Sequence, residues 1–197
     1  IESAKDYRVK DFIVNDPTIG IYSIFKYAGS NRFENSAGTT SIYNYRSNTS
    51  NWIVYRLPDV ILMKAEALLQ RDGDANLESV ISLVNKTYNR SNPDYDTLRV
   101  SLYNGFSDVE KLVLRERQRE LMFEGKRWFD LMRMARREGS PTPLISYIGK
   151  TTSNSKALSK ISSMEALYWP VNKKEIDANN ELKQNPFYET SSNNSNN

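Results

Sequence analysis

Between Leu57 and Arg71 the chain reads LPDVILMKAEALLQR, and Ile61, Ala65, Leu68 and Leu69 recur at i, i+4, i+7 and i+8. That is the period of an amphipathic helix. Pro58 suits the first helical turn, Asp59 sits where a negative charge favours the helix N-terminus, and Gly73 is a stop signal. After the short turn Asp72 to Asn76, a second stripe at Leu77, Val80, Ile81, Val84 and Tyr88 keeps the period and ends before Asn92-Pro93. Two such helices joined by a tight turn predict an antiparallel hairpin.

A third helical segment starts at Ser107, where Ser107 and Glu110 have the spacing of a capping box, and runs toward Gly139 and Pro141. A 100° step from Val109 brings Leu112, Val113, Phe123, Leu131 and Met134 to one face, and Glu116, Glu120 and Arg127 fall there too. A lone charge on a buried stripe costs several kcal/mol, so these groups must be paired. Arg119 follows Glu116 by three residues and Arg127 follows Glu124 by three. The expectation is a buried structural ion-pair network of Glu116, Arg119, Glu120, Glu124 and Arg127, completed by backbone carbonyls or terminal-segment groups. A second apolar line, Leu114, Leu121, Trp128 and Met132, predicts packing on two sides, and Gly125 permits one long helix or two short ones.

The first helical pair, with its AEALLQRDGD turn and an Asn-Pro about 20 residues later, is similar to one tetratricopeptide-type unit, whose period is about 34 residues. One pair leaves a face uncovered, no second copy occurs in the chain, and the neighbours are expected upstream of Ile1. Residues 1–55 mix short apolar runs such as Ile19 to Tyr27 with Gly, Ser, Asn and Thr, which predicts loops with a strand or two. Gly139 to Asn154 reads as loop, with a short helix near Lys156 to Ile161, and Thr190 to Asn197 as a mobile tail. The expected fold is mainly α: a tetratricopeptide-like helical hairpin plus a further long helix, with loop-rich irregular segments and little β. One domain over 1–197 is expected, divided into a loop-rich aromatic segment (1–55), a helical part (56–138), an irregular wrapping segment (139–189) and the tail (190–197).

Composition narrows the chemistry. The 197 residues include no His and no Cys, so no His-based triad, thiolate nucleophile, disulfide or zinc site of the common ligand types can be built from this chain, and no metal or cofactor is expected. Lys plus Arg number 27 against 24 Asp plus Glu, too small an excess for a nucleic-acid-binding face. Between Asp108 and Glu138 nine cations and seven anions interleave, the pattern of an internally paired helix. No stretch approaches the roughly 18 apolar residues of a membrane span, and Ile1 to Lys10 lacks the layout of a signal peptide. The chain is accordingly expected to be the C-terminal piece of a longer protein.

Three stretches carry a family resemblance: RLPDVILMKAEALL (Arg56 to Leu69), ERQRELMFEGKRWFDLMR (Glu116 to Arg133) and WPVNKKEIDANNELKQNPFY (Trp169 to Tyr188). Weaker echoes, Asp6-Tyr7-Arg8 and Lys26-Tyr27, precede them in order. Together they resemble the C-terminal half of the SusD/RagB family of outer-membrane nutrient-binding lipoproteins of Bacteroidetes. Pro58 replaces a usual small residue, Val171-Asn172 replaces Ile-Pro, and Phe187 stands where Gly is common. The resemblance implies a non-catalytic protein on tetratricopeptide-like helices that binds a glycan or other nutrient for a SusC-like TonB-dependent transporter. It would be held at the cell surface by a lipidated N-terminal Cys that this chain lacks, and its last stretch would wrap across the helical layer by docking Trp or Tyr rings.

Within the chain, the aromatic and Asn-rich stretch Tyr22 to Tyr55 offers flat platforms for sugar faces with polar rims, and Tyr43, Tyr45 and Trp52 are the candidate ligand-binding residues. Ordinary core and loop packing accounts for the same rings. A tetratricopeptide-type adaptor for peptides and a glycan-degrading enzyme are the rival functions. Glu120 and Glu124 would be the carboxylates of the enzyme, but neighbouring Glu on an Arg-rich helix are expected to be ion-paired instead.

Overall fold

The computed structural model describes residues 5–16, 20–34, 41–45, 51, 53–152 and 154–192, without the side chains of 15, 16, 21, 30–34, 41–45 and 190–192. The chain divides into two compact units, Ile1–Arg127 and Trp128–Asn197.

The first unit opens with α1 (Tyr7–Phe12), capped by the Asp6 carboxylate, which accepts from the Arg8 amide. Strands β1 (Ile13–Asp16) and β2 (Ile21–Ile24) follow as an antiparallel hairpin, with Ile13 opposite Ile24. A second antiparallel hairpin joins β3 (Gly29–Glu34) to β4 (Ser41–Tyr45), with a register shift between Gly29 and Asn31. This region is more regular than the loops with a strand or two read from sequence. Its β-branched and aromatic residues, Ile13, Val14, Ile21, Tyr22, Ile24, Ile42 and Tyr43, favour strands, but the Gly, Ser and Asn between them dilute the alternation.

Helix α2 (Leu57–Asp72) has Pro58 in its first turn and ends on Gly73 at φ 57°, and a 3-10 turn (Gly73–Asn76) leads into α3 (Leu77–Ser91). Leu62, Ala65 and Leu69 of α2 are fully buried, whereas Ile61 and Leu68 are only partly so, which rotates the buried stripe by about one residue from its expected centre. Helix α4 (Phe106–Glu120) packs against both members of the hairpin, and Val109, Leu112 and Val113 join Val80, Ile81 and Val84 in one core. Each buried aliphatic side chain contributes about 1.5–3 kcal/mol.

The ends of α4 differ from the sequence expectation in instructive ways. No capping box forms. Gly105 is the N-cap, the Phe106 amide donates to Asp74 Oδ1 at 2.5 Å, and the Asn104 amide donates to Asp108 Oδ2 at 3.2 Å. Glu110 instead accepts from Gln70 Nε2 at 2.7 Å. The cap therefore comes from the turn between α2 and α3, which binds a helix end that Ser107 leaves open. At the other end the chain does not continue as one long helix. Phe123 (φ 67°) and Gly125 (φ 72°) take left-handed conformations, and α5 (Arg127–Glu138) starts afresh. The break carries Phe123 off the buried stripe, to 37% exposure.

A Cβ at Gly125 would meet nothing within 4 Å, so only backbone conformation opposes it. Gly125→Ala is expected to cost about 1 kcal/mol, read as a lowered midpoint in urea. A more stable variant would mean that this turn is not left-handed.

The second unit contains most of α5, then α6 (Thr142–Ile148), α7 (Ser155–Lys160), a 3-10 turn (Glu165–Leu167), α8 (Lys173–Ala178) and α9 (Pro186–Ser192). Leu131, Met134, Ala135, Leu144 and Leu167 are its buried apolar residues. Helix α6 occupies a stretch read as loop. Pro141 and Pro143 signal breaks in sequence, but proline fits the first turn of a helix, and here it starts one. Helix α9 likewise extends through Ser192 into the expected tail, of which 193–197 lie outside the described residues. The terminal segment is held by amides. Gln184 donates to the Val171 carbonyl and accepts from its amide, both at 2.9 Å, and Asn185 Nδ2 donates to the Glu165 carbonyl at 2.8 Å. The Trp169 ring is exposed, at 85%.

Candidate functional site

Glu116 and Glu120 lie one turn apart on α4, and Glu124 lies in the turn beyond, so one line of side chains carries three carboxylates. All three are buried, at 0%, 0% and 4% exposure. A buried carboxylate needs a charge partner and filled hydrogen-bonding positions. The partners come from four separate places in the chain. Arg8 Nη1 on α1 donates to Glu116 Oε1 at 2.8 Å and to Glu120 Oε2 at 3.4 Å, while its Nη2 holds Asp6 Oδ2 at 2.7 Å. Arg56, just before α2, reaches Glu120 Oε1 through Nη1 at 2.6 Å, Glu124 Oε1 through Nε at 2.9 Å and the Glu120 carbonyl through Nη2. Arg90 near the end of α3 is the third guanidinium on the Glu120 carboxylate, donating through Nη2 to Oε1 at 2.6 Å.

The turn between the two hairpins supplies the rest. Lys26 Nζ donates to Glu124 Oε1 at 2.6 Å and to the carbonyls of Glu120 and Met122 at 2.8 and 3.1 Å, which satisfies helix-end acceptors left open where α4 stops. The Tyr27 hydroxyl donates to the same Glu124 oxygen at 3.0 Å. Tyr27 has φ 65°, a costly conformation for an aromatic residue, and its neighbours in the cluster hold it there.

Electrostatics follow from this geometry. Burial pushes the Asp6 and Glu124 carboxyls up, but Arg8 on the first, and Arg56 with Lys26 on the second, outweigh it, so both stay charged below the usual carboxylate range. At Glu116 burial wins over Arg8, Thr87 and Arg119, and its pKa is raised. Burial lowers that of Lys26 despite Glu124 beside it. The Tyr27 phenol, desolvated and hydrogen-bonded to a carboxylate, is pushed up to about 12.

A second cluster lies at the start of α2. Buried Arg117 donates through Nη2 to Asp59 Oδ1 at 3.0 Å, and Lys126 Nζ lies 3.3 Å from Asp59 Oδ2. The same ammonium donates to the Val54 carbonyl at 2.5 Å and sits 4.3 Å over the Tyr55 ring.

Of the residues expected in the network, Glu116, Glu120 and Glu124 meet in one cluster, and Arg119, 9% exposed, acts on Asp6 and Glu116 through its charge. Arg127 donates through Nη1 to the Leu114 carbonyl at 3.1 Å. Arg8, Lys26, Arg56 and Arg90, all distant in sequence, bring guanidinium and ammonium groups to Glu120 and Glu124. The helical wheel gave no sign of these four. Three of them, with Asp6 and Tyr27, fall in the stretches that carried the family resemblance, and that was the available signal. Of the ligand candidates, Tyr43 and Tyr45 are on β4, opposite Arg32 and Gly29, but their side chains lie outside the described set, as does Trp52 altogether.

The clusters position the loop-rich segment. Lys26 and Tyr27 fasten the chain just before β3, and Arg56 fastens it just after residue 55, both to Glu120 and Glu124. The segment bearing the aromatic candidates is thus clamped at both ends to the C-terminal end of α4. Chemically, Glu116, Glu120 and Glu124 are each met by cations, which suits scaffolding, while Asp59 Oδ2 in the second cluster accepts no hydrogen bond. Among the described residues no group of three His, Cys, Asp or Glu could hold a metal.

Residues 10–188 match the profile of the SusD family. Two curated relatives come from Formosa agariphila: SusD-like protein P2, 31% identical over 63% of this chain, and SusD-like protein P38, 32% identical over 43%. The chain spans 22% and 17% of their lengths. A SusD superfamily protein from Bacteroides fragilis has a similar fold, with a TM-score of 0.53 at 22% identity over 93% of this chain and 38% of that one. A SusD superfamily protein from Bacteroides thetaiotaomicron is 29% identical over 70% of this chain and 26% of that one, with a TM-score of 0.49.

Proposed function

This chain belongs to the SusD family, and from that premise we propose that it is part of a non-catalytic protein that binds a glycan or other nutrient at the outer membrane surface and hands it to a SusC-like TonB-dependent transporter. The observation that supports this most is the state of the carboxylates. Glu116, Glu120 and Glu124 are buried and already held by cations, whereas an acid and base pair of a glycosidase must face a substrate cleft. Nucleophiles and bases built on His or Cys are absent from the composition. No described helix is long and apolar enough to cross a membrane, and attachment through a lipid at the N-terminus of the full protein is part of the proposal.

In this reading the clamped segment before Arg56 presents Tyr43, Tyr45 and Trp52 to the sugar. An adaptor for peptides would instead use a groove lined by successive helical pairs, and the first unit has one pair with α4 against it.

The test is a polysaccharide panel followed by calorimetry and a reducing-end assay. Binding without release of reducing ends is expected, and Ala at Tyr43, Tyr45 or Trp52 should weaken it with little change in melting temperature. Steady turnover lost on mutating Glu120 and Glu124 would overturn the binding-protein reading. Unchanged affinity with a large loss of stability would assign the three rings to packing.

A further inference from the structure

A groove of about 720 Å³ runs along α3 in the first unit, between the helix and the segment Thr97–Ser101, which passes at Val100 into a 3-10 turn (Val100–Leu102). Its volume is that of a small-molecule site, and its lining joins eight polar residues to three aliphatic ones, with polar and apolar surface exposed in similar measure, a mixture that suits the hydroxyls and carbon faces of a sugar. Both walls are fixed. The Asn85 amide donates to the Leu98 carbonyl at 2.9 Å and its oxygen accepts from the Leu98 amide at 3.1 Å, so the side chain binds that residue as a neighbouring strand would. Asn89 Nδ2 donates to Thr97 Oγ1 at 3.2 Å.

This clamp has a consequence for charge. Lys86 follows Asn85 and Arg99 follows Leu98, so the pairing that joins the walls sets two cations on adjoining stretches of the same groove. Both are exposed, and neither has an ion-pair partner among the described residues. At the far end of the groove is Glu78, eight residues before Lys86 and about 12 Å along the helix axis. Ile81, Leu98 and Val100 give the groove an aliphatic floor between these ends.

We infer that this groove is a binding site for an acidic oligosaccharide, with a sugar carboxylate held by Lys86 and Arg99. The carbon faces of the next ring lie on Leu98 and Val100, with buried Ile81 behind them, and Glu78 accepts hydrogen bonds from hydroxyls at the other end. Guanidinium and ammonium groups on a carboxylate make charge-assisted hydrogen bonds, and a separation of about 12 Å keeps Glu78 from opposing the anion. The inference rests on the glycan-binding reading above and adds to it a second place and a class of sugar.

The test measures binding of a galacturonic acid oligomer and of a neutral galactose oligomer of equal length to the whole chain by calorimetry at low and moderate salt. The acidic oligomer should bind more tightly, and the preference should shrink as salt rises. Lys86→Ala with Arg99→Ala should weaken the acidic oligomer about three- to tenfold and leave the neutral one unchanged. Lys86→Arg should retain binding. Both side chains are exposed, so melting temperature should hold, and a thermal scan of each variant checks it. Equal binding of the two oligomers, or an acidic oligomer unaffected by the double substitution, overturns the groove while leaving glycan binding intact. An acidic peptide that binds as tightly as the sugar also overturns it. Failure of every glycan to bind would overturn both readings.

Discussion

Glu120→Ala is expected to destabilise the first unit by about 3–5 kcal/mol, because it removes a fully buried acceptor shared by three guanidinium groups. Arg90 can turn outward, its side chain being 55% exposed, but Arg8 is 3% exposed and Arg56 19%, so two charges lose a partner with little access to solvent. Glu120→Gln keeps the volume and one oxygen and separates lost charge from lost packing. Its loss should be close to that of Ala, since the charge is what balances the cations. Urea unfolding measures both, and a loss below about 1 kcal/mol in each would show that the cluster adds nothing to stability.

Arg8→Met should cost a similar amount, about 3–5 kcal/mol near neutral pH, with a pH dependence that identifies the cause. Arg8 opposes the effect of burial on both Asp6 and Glu116. Without it, burial is left to raise the Asp6 carboxyl from its lowered position and that of Glu116 further. A group whose folded pKa is raised adds stability that is full below its unfolded pKa and is lost as pH rises through the folded one. The variant should therefore recover part of its deficit as pH falls from 7 toward 5, while the parent, whose Asp6 and Glu124 are held below their usual range, loses stability as pH falls through and below about 4. A deficit that stays constant across that range would mean that Arg8 acts through packing alone.

The helical pair was legible because its signals are local. Pro58, Gly73 and two apolar stripes need no knowledge of the rest of the chain. The same is true of the three carboxylates, since an acidic residue on an otherwise apolar stripe announces a buried partner. Their partners were not legible from spacing. Arg119 and Arg127 stand at helical intervals and invite pairing, but Glu120 is met by residues 112, 64 and 30 positions away. No period encodes a contact of that kind. The same limit explains the cap of α4, where Asp74 supplies what Ser107 was expected to supply. Helix α6 is hidden for the opposite reason: Pro141 and Pro143 read as breakers, although both stand at the helix start, where proline is accepted. Residue type does not separate a sugar platform from packing at Tyr43, Tyr45 and Trp52, because an aromatic ring serves both.

The arrangement around Glu120 also orders events in time. Contacts within the α2 and α3 hairpin close short loops and can form early, whereas the cluster must bring together α1, the turn at Lys26, Arg56, Arg90 and the end of α4. Long loops close slowly, and ions desolvate only when their counterions are in place. The cluster should thus assemble after the rate-limiting step, so that Glu120 and Arg8 substitutions quicken unfolding and leave the folding rate nearly untouched. This chain has no cysteine and therefore no disulfide of its own, so such late contacts set how long each folded copy survives.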